Sequence, residues 1–241
     1  MENQNILNTA KHIHFIGIGG SGMCPIAEIL HHRGYRITGS DSTESETVQK
    51  IRSYQIPVVI GQKAENINGA DLIVYSAAVK KENPELAAAL QSGIPTLERA
   101  QMLGLVAKRY QNSIAVAGTH GKTTTTGMLT QLFVEAGKDP SAIIGGKLPF
   151  IGSNGRAGKS EYILCEACEY VDTFLQLQPS VSVILNIDAD HLEYFGSLEN
   201  IITSFRKFAG QTTQALIING DDENVRKAVK DLKNIEVRTV G

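Results

Sequence analysis

The stretch Gly118-Thr119-His120-Gly121-Lys122-Thr123 constrains this chain more than any other. An apolar run, Ser113 to Ala117, precedes it, and Met128, Leu129, Leu132, Phe133 and Val134 follow at helical spacing. A strand, a tight glycine turn and a helix start, in that order, belong to a sheet whose parallel strands are joined by helices. The same three parts make a cradle for phosphate. Glycines let the backbone wrap an anion, and the helix N-terminus offers unpaired N–H groups and partial positive charge, to which Lys122 adds a full one. Thr123 places a hydroxyl where a phosphate-bound Mg²⁺ needs a ligand. The general P-loop wants a glycine at position 116, where Val116 stands, so the loop is a shorter version. The alternative is an ordinary strand-to-helix turn with a lysine at its edge.

A second glycine loop lies nearer the N-terminus. His12 to Ile16 reads as a strand, Gly17-x-Gly19-x-x-Gly22 follows, and Met23, Ile26, Ala27, Ile29 and Leu30 continue at helical spacing. That is the dinucleotide fingerprint, and Asp41 at the end of the next strand can accept a ribose hydroxyl. Alone, it suggests an NAD-dependent oxidoreductase; a purely structural packing turn is the plainer alternative. The fingerprint specifies only an anion at a helix N-terminus. Two loops imply two phosphorylated ligands, which a dehydrogenase does not need.

With 241 residues the chain has room for two α/β domains. Strands are expected at 35–38, 56–60, 71–75 and 95–97 in the first, with helices at 44–53, 84–91 and 98–109. Polar Arg109 to Asn112 sets the boundary near residue 111, giving domains 1–111 and 112–241. In the second, strands are expected at 113–117, 142–144, 161–166, 181–187, 214–219 and 235–240, and helices at 122–137, 198–209 and 222–232. Gly145 to Lys159 reads as a loop or irregular hairpin. The second domain looks interrupted at Gly241, so a truncated chain is expected.

The formal net charge of −2 argues against nucleic acid as a main partner. No apolar run approaches the roughly 20 residues of a membrane span, and the polar stretch Met1 to Lys11 lacks the apolar centre of a signal peptide. Three cysteines without framework spacing fit a reducing compartment, so a cytoplasmic protein is expected.

Two further strands end in groups with chemistry. Glu161 to Leu164 leads into Cys165-Glu166-Ala167-Cys168-Glu169, and Val181 to Ile187 leads into Asp188-Ala189-Asp190-His191. Ligands of open α/β sheets bind at the C-terminal ends of strands. Mg²⁺ prefers carboxylate, phosphate and water oxygens, which makes Glu166 the better metal candidate. His191 is either an unusual magnesium ligand or a helix-capping or surface residue. Cys165 and Cys168 have no second pair and face opposite ways on a strand, so they read as small apolar fillers.

His12 to Met23, Gly39-Ser40-Asp41, Tyr75 to Ala78, Asn83 to Leu86, Glu98 to Leu103, Ala117 to Thr124, Phe174-Leu175-x-Leu177-x-Pro179 and Asn186-Ile187-x-x-Asp190-His191 together resemble the Mur ligase family, the amino-acid-adding enzymes of peptidoglycan synthesis. The likeness is nearest to the alanine-adding type and runs from about residue 12 to the end. It implies a Rossmann-like UDP-sugar domain, a central ATPase and a C-terminal amino-acid domain, of which the last is missing here. It implies that Gly118, Thr119, His120, Gly121, Lys122, Thr123 and Thr124 wrap ATP, that Thr123 sits by one Mg²⁺, and that Glu166 and His191 serve a second. Lys122, Glu166 and His191 become the catalytic set. Gly19, Gly20, Ser21, Gly22 and Met23 would take the diphosphate of UDP-N-acetylmuramate, with Asp41, Ser76 and Ala77 lining the same site.

Many members have Glu-Ala-Asp-Glu where this chain has Glu166-Ala167-Cys168-Glu169, and where sister ligases carry a carbamylated lysine this chain has Arg206 and then Lys207. The implied reaction joins L-alanine to the muramate carboxylate through an acyl phosphate at the expense of ATP. This half alone is expected to bind without ligating, and a relative that adds a preformed peptide remains an alternative.

Overall fold

The computed structural model describes residues 5–233 and 235–241. Residues 1–4 of the polar leader lie outside them. The chain forms two compact units, one comprising residues up to Val106 with Asn154–Ala157, the other Ala107–Ser153 with Gly158–Gly241.

The first unit runs α1 (Ile6–Thr9), β1 (His12–Ile16), α2 (Cys24–His32), β2 (Arg36–Asp41), α3 (Glu46–Ser53), β3 (Val58–Ile60), β4 (Leu72–Tyr75), α4 (Pro84–Gln91), β5 (Thr96–Glu98) and α5 (Arg99–Ala107). Its sheet has the order β3-β2-β1-β4-β5, with every pairing parallel. The order reverses between β1 and β4, so the loops after these strands flank the crevice where such sheets bind ligands.

All five residues of β1 are buried, so its two histidines must find partners inside the protein. His12 Nδ1 is 2.7 Å from the Gly69 carbonyl, and its Nε2 is 2.8 Å from Thr38 Oγ1. Thr38 Oγ1 is also 2.8 Å from His14 Nδ1, and His14 Nε2 is 2.6 Å from Glu85 Oε1. Glu85 is fully buried and accepts hydrogen bonds from Ser40 Oγ and Asn66 Nδ2 at its other oxygen. The network ties α4 to β1 and β2.

The rest of the chain runs β6 (Asn112–Ala117), α6 (Lys122–Glu135), β7 (Ser141–Leu148), β8 (Ser153–Arg156), β9 (Tyr162–Glu166), β10 (Val181–Ile184), α7 (Leu192–Phe195), α8 (Leu198–Gly210), β11 (Ala215–Asn219), α9 (Glu223–Val229) and β12 (Glu236–Val240). Its sheet order is β12-β11-β10-β6-β9-β7-β8, and the strands from β12 to β7 are parallel. Phe174 stacks on Phe208 at 4.8 Å and meets Phe205 edge-on at 5.2 Å in its core.

One local expectation is corrected and two gain detail. The strand expected over 181–187 stops at Ile184, because Leu185 to Asp190 turns away to hold the loop after β6. The stretch 145–159, expected as a loop or irregular hairpin, holds the end of an eight-residue β7 and all of β8, its neighbour in the sheet. Helix α6 has the expected period, but its buried face carries Thr126, Gly127 and Thr130, while Met128 and Leu132 are 61% and 59% exposed. The threonine hydroxyls can be buried because they donate to carbonyls one turn back, Thr126 to Lys122 and Thr130 to Thr126. Small residues on this face let the helix lie close to its sheet.

Candidate functional site

In the second unit, β6 delivers the loop Gly118 to Gly121 to the start of α6. Register sets Ala117 beside Ile184 on one neighbour and Val116 beside Glu166 on the other. The ends of β10 and β9 therefore flank the loop, as expected for a crevice at this sheet edge. Gly118 has φ +146°, and a Cβ there would lie 3.0 Å from Leu185 Cβ; Gly121 has φ +84°. These are conformations that L side chains rarely adopt.

Asn186 fixes the loop. Its carbonyl accepts from Thr119 N–H at 3.1 Å, its side-chain oxygen accepts from His120 N–H at 2.8 Å, and its Nδ2 donates to the His120 carbonyl at 3.0 Å. Thr119 Oγ1 in turn accepts from Asp188 N–H at 2.9 Å. The N–H groups of Lys122, Thr123 and Thr124 have no partner among the described residues, and Thr123 and Thr124 are exposed. An open helix start with free N–H groups is an anion site.

Thr123 Oγ1 donates to Glu166 Oε1 across 3.0 Å, and Glu166 Oε2 accepts from Gly145 N–H at 2.7 Å. A Cβ on Gly145 would lie 2.7 Å from both carboxylate oxygens, so the glycine makes room for them. Among the described residues, no group of three or more His, Cys, Asp or Glu side chains is placed to hold a metal. Mg²⁺ needs no such cage, because it takes one or two carboxylates along with substrate phosphates and water. Adjacent oxygens around an octahedral Mg²⁺ at about 2.1 Å stand about 3 Å apart, and Thr123 and Glu166 present that spacing. The pair fits the ion.

His191 is not joined to them. It adopts φ +52° ahead of α7, its ring lies 4.6 Å from that of Tyr170, and the carboxylates near it are Asp190 and Glu193. No hydrogen bond or ion pair links it to Thr123 or Glu166 among the described residues.

Sequence reasoning assigned no role to Glu169. It is 2% exposed and pairs with Lys122, with Nζ 3.0 Å from Oε1 and 2.9 Å from Oε2. The segment after it is strained, with Val171 at φ +53° and Asp172 at φ +57°. A β-branched residue there is an outlier that its surroundings must enforce. Asp172 accepts from Tyr194 Oη at 3.0 Å and from Ser204 Oγ, while its N–H donates to the Glu169 carbonyl at 2.9 Å.

Burial pushes the Cys165 thiol up to about 12, which keeps it protonated and removes it from redox or metal chemistry. Arg206 donates to the carbonyls of Lys227 at 2.8 Å and Ala228 at 3.3 Å, a structural tie to α9.

In the first unit an open cleft of about 700 Å³ is lined by Gly17, Gly19, Gly20, Asp41 and Ser76. Ser21, Gly22, Met23 and Ala77 are not part of its wall, and Met23 is buried beneath the loop. Asp41 Oδ2 accepts from Gly19 N–H at 2.8 Å, and a Cβ on Gly19 would meet that oxygen at 2.8 Å. The N–H groups of Ser21 and Gly22 have no partner among the described residues. Lys80 and Asn83 also line the cleft, and sequence reasoning had not singled them out for binding.

Residues 12–111 match the Mur ligase family catalytic domain, and residues 116–241 match the Mur ligase middle domain. The chain belongs to the Mur ligase family. It is 48% identical to the UDP-N-acetylmuramate–L-alanine ligase of Alkaliphilus metalliredigens, over 92% of this chain and 49% of that protein. Among solved structures, UDP-N-acetylmuramate-alanine ligase from Thermotoga maritima is 31% identical with a TM-score of 0.81, covering 91% of this chain and 51% of that one. The UDP-N-acetylmuramate:L-alanyl-gamma-D-glutamyl-meso-diaminopimelate ligase from Neisseria meningitidis is 28% identical with a TM-score of 0.85, covering 95% of this chain and 77% of that one. The chain spans about half the length of the curated relatives it matches. No helix among the described residues is long and apolar enough to cross a membrane.

Proposed function

We propose that this chain is the UDP-sugar-binding and ATP-binding half of a cytoplasmic ligase that joins L-alanine to UDP-N-acetylmuramate. One observation carries the ATP part: an uncapped helix start, with Lys122 in its loop and Thr123 3.0 Å from Glu166. The curated relatives support the substrate, since three that are 47–48% identical are named UDP-N-acetylmuramate–L-alanine ligase. In this reading the domains are 1–111 for the UDP-sugar and 112–241 for ATP.

In the second unit the free N–H groups of Lys122, Thr123 and Thr124 hold the phosphates of ATP, with Gly118 to Gly121 wrapped around them. Thr123 and Glu166 hold Mg²⁺, and His191 joins them only if the turn at 188–191 moves. Bound magnesium would neutralise charge on the transferring phosphoryl group. Lys122 adds its own positive charge to the same group, and such fixed charge is the main source of rate in phosphoryl transfer. The muramate carboxylate takes the γ-phosphoryl group, the amine of alanine attacks the acyl phosphate, and phosphate leaves. In the first unit the cleft walled by Gly17, Gly19, Gly20, Ser76 and Lys80 suits a diphosphate, and Asp41 holds the loop open through Gly19.

Calorimetry of this chain with UDP-N-acetylmuramate and, separately, with ATP and Mg²⁺ tests the reading. Saturable binding of each is expected. Binding of NADH without binding of the UDP-sugar would overturn it in favour of the oxidoreductase reading of Gly17 to Gly22.

A further inference from the structure

An ammonium group has three N–H donors, and those of Lys122 are all engaged within the protein. Nζ donates to the Gly118 carbonyl at 2.6 Å, to the Thr119 carbonyl at 3.0 Å and to Glu169 Oε1 at 3.0 Å. The second carboxylate oxygen lies 2.9 Å from Nζ but is off line for a hydrogen bond, and no other donor reaches it. Lysine and glutamate are both largely out of water, their side chains 13% and 3% exposed. The lysine is therefore folded back onto its own loop.

We propose that Glu169 is the resident counter-ion of Lys122 and makes nucleotide binding at this loop depend on a divalent cation arriving with the phosphates. The proposal rests on reading the loop as a nucleotide site. All three Lys122 donors are taken, so a triphosphate that recruits the lysine displaces one of these acceptors, Glu169 being the one whose negative charge it opposes. Displacement of Glu169 leaves a buried carboxylate with no partner, next to the negative charge of the phosphates. Removing one partner of a buried ion pair is far more costly than removing an exposed one, because the remaining charge has no water to turn to. Metal-free ATP bears that whole cost, whereas a cation bound with the phosphates offsets the lost ammonium charge. Glu166 cannot take over from Glu169, since both its oxygens are held elsewhere, by Thr123 and Gly145. The strained turn at Val171 and Asp172 keeps Glu169 in place, because Asp172 N–H bonds to the Glu169 carbonyl and the Asp172 side chain is anchored by Tyr194 and Ser204.

The test is the ratio of two affinities. The wild-type chain and Glu169→Gln are each titrated with ATP in excess chelator and in excess Mg²⁺ by calorimetry. Glutamine keeps the shape and removes the charge, so metal-free ATP should bind Glu169→Gln about tenfold or more tightly than wild type. The advantage conferred by Mg²⁺ should shrink by the same factor. Glu169→Asp, which keeps the charge on a shorter arm, should fall between the two and covers the case in which the glutamine variant does not fold. Unchanged metal-free affinity in the variants overturns the proposal. So does a loss of Mg²⁺-dependent affinity without a gain in the metal-free one, which would make Glu169 a direct metal ligand. Failure of the wild-type chain to bind ATP under either condition overturns the nucleotide reading along with it.

Discussion

Thr123 Oγ1 and Glu166 Oε1 lie 3.0 Å apart, although they come from a helix start and from the end of a neighbouring strand. The parallel pairing of β6 with β9 brings them together, with Val116 and Glu166 in register. Gly145, on the next strand, fixes the far oxygen of the carboxylate. Three successive strands of one sheet thus bring these two oxygens and the N–H that anchors them together.

Gly145→Ala should leave the fold intact but displace Glu166, since the added methyl would lie 2.7 Å from both carboxylate oxygens. Loss of a group that orients a metal ligand typically weakens metal affinity about 10–100-fold. Titrating Mg²⁺ into the ATP-bound chain checks this, and unchanged magnesium dependence would remove Glu166 from the metal site.

Lys122→Ala should reduce ATP affinity about 10–100-fold, the worth of a charge-assisted hydrogen bond of about 1.5–3 kcal/mol. It should also lower stability, because Glu169 keeps its burial and loses its counter-ion. Calorimetry and thermal unfolding on the same sample separate the two effects.

In the first unit, Glu85→Ala breaks a fully buried pair with His14 and strands Ser40 and Asn66 as well. A cost of about 3–5 kcal/mol is expected. Urea unfolding that reports a loss below about 1 kcal/mol would show the network to be dispensable.

On α6, Leu132→Ser should change stability by less than about 0.5 kcal/mol, as expected for an exposed position. Thr130→Leu, on the buried face, should cost about 1–3 kcal/mol through overpacking. The reverse ranking in thermal melts would mean that the helix packs by its apolar stripe.

Cys165 should resist thiol reagents at pH 8 until the chain unfolds, whereas the half-exposed Cys168 reacts in the native state. Its folded pKa of about 12 lies above the ordinary 9.0, so the folded form holds its proton longer than the unfolded one. The associated stability is complete below about pH 9 and is lost as pH rises from 9 toward 12. Unfolding midpoints measured across that interval should fall for the wild type more than for Cys165→Ala.

The residues themselves fixed the alternation of strands and helices, the two glycine loops and the residues that end the strands. Period, glycine placement and the Lys-Thr pair are local properties, and local physics decides them. Tertiary structure decided everything that depends on which surfaces meet. The helical spacing of Met128 and Leu132 marks a helix but not its buried side, which close approach to the sheet gave to Thr126, Gly127 and Thr130. An apolar run over 181–187 suggests a longer strand than β10, whose chain leaves the sheet at Leu185 so that Asn186 can hold His120. Glu169 closes the Glu166 to Glu169 pattern, but nothing in the sequence names its partner, and its pairing with Lys122 exists only because a strained turn carries it into the loop. Contacts between residues far apart in the chain have no period to read, and they are where this site is made.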